Sequence, residues 1–310
     1  MKDHSIKETP KNQRFLRGSL LLGFASLIWG AAFVAQQNGG DALGPYTFNS
    51  FRFIMGGIVL LPLIVLMKRS FSAPLIKSGV IIGISLALAS NLQQLGITVG
   101  HEAGKAGFLT SCYIVLVPVA GLFFGKKCPL RVWIAVFITA FGLYLLCIKD
   151  SFSLKLSDTL ILLSAMAFTL QIMLIEHYAA SYDPVALSCV EFLTCGILTL
   201  IPSTVFEIIP QPTAITAALH DPDAWYALLF SGLLSTGVAY TLQIVGQASV
   251  PAAIASLIMS LEAVFAVIAG WFFLGQGLTA REAAGCLVMF FAIILAQSDI
   301  GGLSFERKGK

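Results

Sequence analysis

The chain is a succession of ten apolar runs, each close to the length of a membrane-spanning helix. About 20 such residues, rising 1.5 Å each, cross the roughly 30 Å of hydrocarbon in a bilayer. The runs cover approximately residues 16–37, 44–67, 74–97, 102–125, 130–148, 157–179, 184–206, 223–246, 251–274 and 280–298. Only 11% of the residues are charged, against 57% hydrophobic. A water-soluble domain carries about 25% charged residues. Lipid is the solvent that fits so apolar a chain, and the expected class is an all-α membrane protein with ten transmembrane helices. The connections are short, so neighbouring helices form antiparallel hairpins. The longest, 207–222, holds Pro210, Pro212 and Pro222, which resist helix continuation.

Several helix starts carry proline near the first turn, as in Gly44-Pro45, Asp183-Pro184, Asp221-Pro222 and Val250-Pro251. A missing N–H costs nothing there. Pro62 and Pro118 fall inside apolar runs and predict kinked or loosened helices. The first apolar run is longer than the core of a cleavable signal peptide, so it reads as a retained span. None of the six cysteines forms a CxxC pair, and most lie in apolar runs where a thiol packs as a small apolar group. No disulfide framework, metal site or cofactor is expected.

Basic residues set an orientation. Lys2, Lys7, Lys11, Arg14 and Arg17 precede the first span. Alternating loops then place Lys68, Arg69, Lys77, Lys126, Lys127, Arg131, Arg307, Lys308 and Lys310 on the same side. The opposite side receives Lys105, Lys149, Lys155 and Arg281. Both termini are expected in the cytoplasm, in a multi-pass plasma-membrane protein.

The two halves resemble each other. Trp29 aligns with Phe168, Pro45 with Pro184, and Gly121-Leu122-Phe123-Phe124 with Gly270-Trp271-Phe272-Phe273. Gln94 aligns with Gln243, and Arg131 with Arg281. Each unit holds five spans, an odd number, so the second enters the membrane from the other side. The expected organisation is a basic N-terminus (1–17), a first repeat (18–148), a second, inverted repeat (157–298) and a tail (299–310). Inverted repeats are typical of alternating-access transporters with a midplane site.

The segment Ser260-Leu261-Glu262-Ala263-Val264-Phe265-Ala266, running on to Leu274-Gly275-Gln276, resembles the ninth-helix signature of EamA-type permeases of the drug/metabolite transporter superfamily. Ala106-Gly107-Phe108-Leu109-Thr110-Ser111-Cys112-Tyr113, continuing to Pro118, is similar to the fourth-helix counterpart. Leu27-Ile28-Trp29-Gly30-Ala31-Ala32-Phe33 fits the first helix. Ala263 and Gln276 stand where the pattern has a proline and an acid. The resemblance covers residues 18 to 298 approximately. It implies ten helices in two EamA repeats and the export or exchange of amino acids, nucleotide-related compounds, drugs or other metabolites.

Charge in mid-bilayer is costly and therefore faces protein or water. Glu262 lies about 16 Å along its helix. It is read as a proton carrier, as a site for a cationic substrate, or as a neutral carboxyl bonded between helices. Glu191 sits in the seventh span, and Glu176 ends the sixth, either approaching Glu191 or capping an interface beside His177 and Tyr178. Arg52 aligns with Glu191 but lies in the other leaflet. It meets carbonyls, Asn49 or an outer acid and anchors an anionic group, or it snorkels to the interface. Gln36, Asn91, Gln94, Gln171, Tyr240 and Gln243 are read as pathway lining or as interhelical glue. Asn91 with Gln94, and Tyr240 with Gln243, are expected at matching places. Tyr113, in the fourth-helix segment, joins the candidate pathway.

No Walker-type phosphate loop, HExxH or GxSxG is present, and His4, His101, His177 and His220 are scattered. An enzyme is not expected, and neither is a nucleic-acid partner. The expected function is a secondary active transporter, an exporter or exchanger of small metabolites, with protons as a coupling ion. The alternatives are an uncoupled facilitator and a ligand-binding membrane receptor.

Overall fold

The computed structural model describes residues 11–101, 103–147, 155–218, 220–274 and 279–297. Several residues named above, including Lys2, Lys149, Gln276 and Lys310, lie outside the described residues. Those described are helical, without a strand. The elements are α1 (Lys11–Leu43), α2 (Pro45–Leu66), α3 (Ala73–Gly100), α4 (Ala103–Thr110), α5 (Tyr113–Phe123), α6 (Leu130–Cys147), α7 (Leu156–Tyr178) and α8 (Pro184–Ser203). There follow α9 (Pro212–Ala218), α10 (Pro222–Leu229), α11 (Thr241–Gln247), α12 (Ala252–Met259), α13 (Leu261–Leu274) and α14 (Ala280–Gln297). Among the described residues, eight stretches are long and apolar enough to cross a membrane. α6 is a shorter apolar helix, and it packs lengthwise on α14.

Large apolar side chains face outward, and polar ones are buried beside an apolar core. Leu66 is 80% exposed, Phe123 86% and Phe137 65%, whereas Asn49, Gln171 and Glu191 are 0% exposed. Soluble folds keep contiguous apolar surface small. An apolar outer surface around a core that also buries polar groups suits hydrocarbon instead.

Local chemistry sets the helix starts. Ser72 accepts from the Leu75 N–H and Asp183 from the Ala186 N–H, each capping its helix. Thr279 and Glu282 bond reciprocally at the head of α14. α2 starts after Gly44, whose φ of 83° places it where a side chain is strained. Its free N–H groups point at a distant acid. Glu207 accepts from the Tyr46 and Thr47 N–H groups at 3.0 and 2.6 Å, and from Thr47 Oγ1 at 2.7 Å. A carboxylate there satisfies orphan donors and the helix dipole together.

Four departures from the expected helices matter. The span read as 102–125 is broken between α4 and α5 at Ser111-Cys112, and that read as 251–274 is broken at Ser260. The proline-bearing connection holds the short helix α9, with Pro212 at its first residue. Between α10 and α11 the chain widens into a π-helical stretch, Phe230–Tyr240.

Helix packing is exchanged between the halves. α3 packs on α7 and α8, while the 222–247 helix packs on α1 and α2. α1 packs on α13, and α7 on α4 and α5. The register of this exchange corrects the expected pairing. A methyl group on Gly96 would meet Ile161 and the Ser157 carbonyl, and one on Gly246 would meet Leu22 and the Gly18 carbonyl. Gly96 therefore matches Gly246, Gln93 matches Gln243 and Ser90 matches Tyr240; the expected pairs Gln94–Gln243 and Asn91–Tyr240 are one residue out. Upstream, Gly83 abuts Thr194 as Gly232 abuts Met55, which is the expected register. Ile84 and Leu234 are both exposed. Leu233 is thus the extra residue, and the π stretch absorbs it, as single-residue insertions in helices do.

Candidate functional site

The two helix breaks meet. Tyr113 starts α5 just past one, and Glu262 lies just past the other. Tyr113 OH donates to Glu262 Oε1 at 3.1 Å, and Ser111 Oγ donates to the same oxygen at 3.3 Å. Glu262 is 5% exposed. The acid is thus held through one oxygen by two hydroxyls from the other half of the chain. The neighbouring backbone is close too: a methyl group on Gly30 of α1 would lie 2.7 Å from the Glu262 carbonyl oxygen.

A cavity opens beside this pair, with about 450 Å³ of empty space including its mouth. Its lining contains Gln36, Arg52, Tyr113, Gln171, Tyr240, Gln243 and Glu262, all predicted from sequence. Asn91, Gln94 and Glu191 lie outside the lining. Gln94 Nε2 donates instead to the Gln36 carbonyl at 2.7 Å, as interhelical glue. The lining also holds Gln93, Thr110, Trp29, Phe33, Phe168 and Ser235, which the polar pattern did not single out. Gln93 Nε2 donates to Thr110 Oγ1 at 3.0 Å. Trp29 Nε1 donates to the Ser235 carbonyl in the π stretch at 3.2 Å, and its ring meets Tyr240 edge-on at 4.8 Å. Trp29 is half-buried; the other lining residues are buried.

Arg52 does not snorkel: it is 1% exposed. Its Nε donates to Asn49 Oδ1 at 2.7 Å, and its guanidinium carbon sits 4.6 Å from the Phe53 ring centre. Asn49 donates to Asn91 Oδ1 at 2.9 Å, and Asn91 donates to Thr199 at 2.8 Å. Asn91 therefore serves the cavity indirectly, by orienting the group that holds Arg52. Arg52 Nη2 is buried without a partner, and no acid stands within 4 Å of the guanidinium among the described residues.

Glu191 reaches the cavity through amides. Gln171 Nε2 donates to Glu191 Oε1 at 2.9 Å, and Gln243 Nε2 donates to Gln171 Oε1 at 3.3 Å. Glu191 Oε2 has no partner. Glu176 turns elsewhere. It pairs with Lys126 and accepts from the Ala252 N–H at 3.2 Å, capping α12.

The arrangement holds a carboxyl, a guanidinium and several amides around a space walled by aromatic rings. No group of three or more metal-ligating side chains occurs among the described residues. The profile of the EamA-like transporter family matches the chain twice, at residues 16–148 and 155–297. The chain belongs to the EamA-like transporter family. An uncharacterised transporter of Archaeoglobus fulgidus is 30% identical over 281 residues, covering 90% of this chain and 85% of that protein. The uncharacterised transporter YoaV of Bacillus subtilis is 24% identical, covering 89% of this chain and 96% of its own length. A solved crystal structure shares the fold with a TM-score of 0.74 at 14% identity, over 91% of this chain and 96% of that one. This EamA-family chain is therefore a multi-pass membrane transport protein.

Proposed function

We propose that the protein is a secondary active transporter of small metabolites, an exporter or exchanger, in which Glu262 couples movement to protons. Ten spans form two inverted five-helix repeats (18–148 and 157–298) in the plasma membrane, with both termini cytoplasmic. The exchanged helix packing supports this arrangement, as does the double match of the family profile.

One observation carries the reading: Glu262 stands where a broken helix from each half meets, at the wall of a mostly buried cavity. Broken helices at mid-membrane free backbone groups for a ligand while protein covers them. A carboxyl there takes up a proton on one side and gives it up on the other as the halves rock. The bonds from Tyr113 and Ser111 hold one oxygen in place while the proton occupies the other.

The test is flux in proteoliposomes with a metabolite panel and an internal pH dye. Substrate-driven proton movement is expected, and Glu262→Gln abolishes both that movement and the pH dependence of flux. Unchanged pH dependence in Glu262→Gln leaves an uncoupled facilitator, with Glu262 a structural tie. Ligand binding without flux leaves a receptor.

A further inference from the structure

We propose that the cavity contains a subsite for the carboxylate of a small organic monoanion, built on the free Nη2 of Arg52. This deepens the transport reading and rests on it for the use of the cavity. Three observations converge. Arg52 lines the cavity, is 1% exposed and keeps Nη2 unpartnered. A buried guanidinium with an unmet donor is costly, and a charged acceptor relieves it. The rest of the group is fixed: Asn49 occupies Nε, and Phe53 lies 4.6 Å from the guanidinium carbon. Arg52 thus has a set orientation before any ligand arrives.

The surroundings narrow the ligand. Among the described residues Arg52 is the one cation in the lining, which suits a monoanion better than a doubly charged phosphate. Glu262, on the same cavity wall, opposes a second negative charge when ionised. Trp29, Phe168 and Tyr240 offer ring faces and edges to an apolar body. A guanidinium N–H makes a strong, charge-assisted bond to a carboxylate oxygen.

The experiment uses the full chain in lipid nanodiscs and equilibrium titration with three probes of one ring: phenylacetate, 2-phenylethanol and phenethylamine. Phenylacetate is expected to bind about tenfold or more tighter than the alcohol. Arg52→Gln is expected to erase that preference. Asn49→Asp, which keeps the arginine and gives it an internal carboxylate, is expected to weaken phenylacetate about tenfold and leave the alcohol unchanged. Should Arg52→Gln fail to fold, Asn49→Asp decides. Equal binding of acid and alcohol overturns the subsite, as does no binding of phenylacetate, or full phenylacetate affinity in Asn49→Asp. A parallel flux assay separates the two claims. Phenylacetate bound while no metabolite of the panel is carried refutes transport and keeps the subsite; panel flux by an unmutated chain that binds no phenylacetate does the reverse.

Discussion

α3 and the 222–247 helix are counterparts in the two halves, yet only one of them is a regular α-helix throughout. From Ile84 and Leu234 onward the two bury the same positions in the same order. Gln93 and Gln243 reach the cavity from matching places. The second helix nevertheless carries one more residue, Leu233, and a π stretch over Phe230–Tyr240. There Trp29 bonds the Ser235 carbonyl, whereas its counterpart Phe168 has no N–H to offer. The same contrast holds elsewhere: Arg52 stands opposite Glu191 in the repeat, and Tyr113 opposite Glu262. The frame is duplicated while the chemistry is not. A cavity lined by two identical halves would carry two acids or two cations facing each other; this one carries complementary groups.

Making the halves alike is the way to break that comparison. Tyr113→Glu would set two carboxyls at hydrogen-bond distance in a buried site. A loss of about 3 kcal/mol or more is expected, read as lower unfolding temperature or absent folded protein. Next in size are Gly96→Val and Gly246→Val. Each forces a side chain into backbone of the facing helix, at about 1–3 kcal/mol. Equal costs support the corrected register, while a harmless Gly246→Val would refute it. Deleting Leu233 restores a regular helix with both flanks in place. Stability should hold within about 1 kcal/mol, while flux falls because the Ser235 carbonyl returns to the helix ladder and releases Trp29. Unchanged flux would make the π stretch incidental. Trp29→Phe copies the first half most gently, removing one hydrogen bond worth about 1 kcal/mol, with a small drop in unfolding temperature.

Much of the frame is legible in the residues. Apolar runs of spanning length mark the helices, and Pro45, Asp183 and Pro222 mark starts that the structure keeps. The acid in Ser260-Leu261-Glu262 is visible because charge inside an apolar run needs a reason. The positions of the helix breaks are not visible, since neither Ser111-Cys112 nor Ser260 carries proline or glycine; Pro118 marks the first span as loosened but lies past its break. The repeat register slipped for a simple cause. Gln93 and Gln94 are adjacent, either aligns with Gln243, and only the contacts of Gly96 and Gly246 choose between them. Arg52 was compatible with a buried or a snorkelling side chain, and the Asn49–Asn91–Thr199 chain that decides for burial joins three separate helices. Glu207 is not legible as a cap because its partners, the first N–H groups of α2, lie about 160 residues away.

Gly30 gives the acid a mechanical neighbour. With no side chain between them, α1 and the backbone of Glu262 touch across the divide between the halves. A tilt of α1 therefore cannot slide past that point; it levers the acid along with it. Motion at either end of the first helix would be felt at Glu262 directly, by leverage and with no relay of side chains.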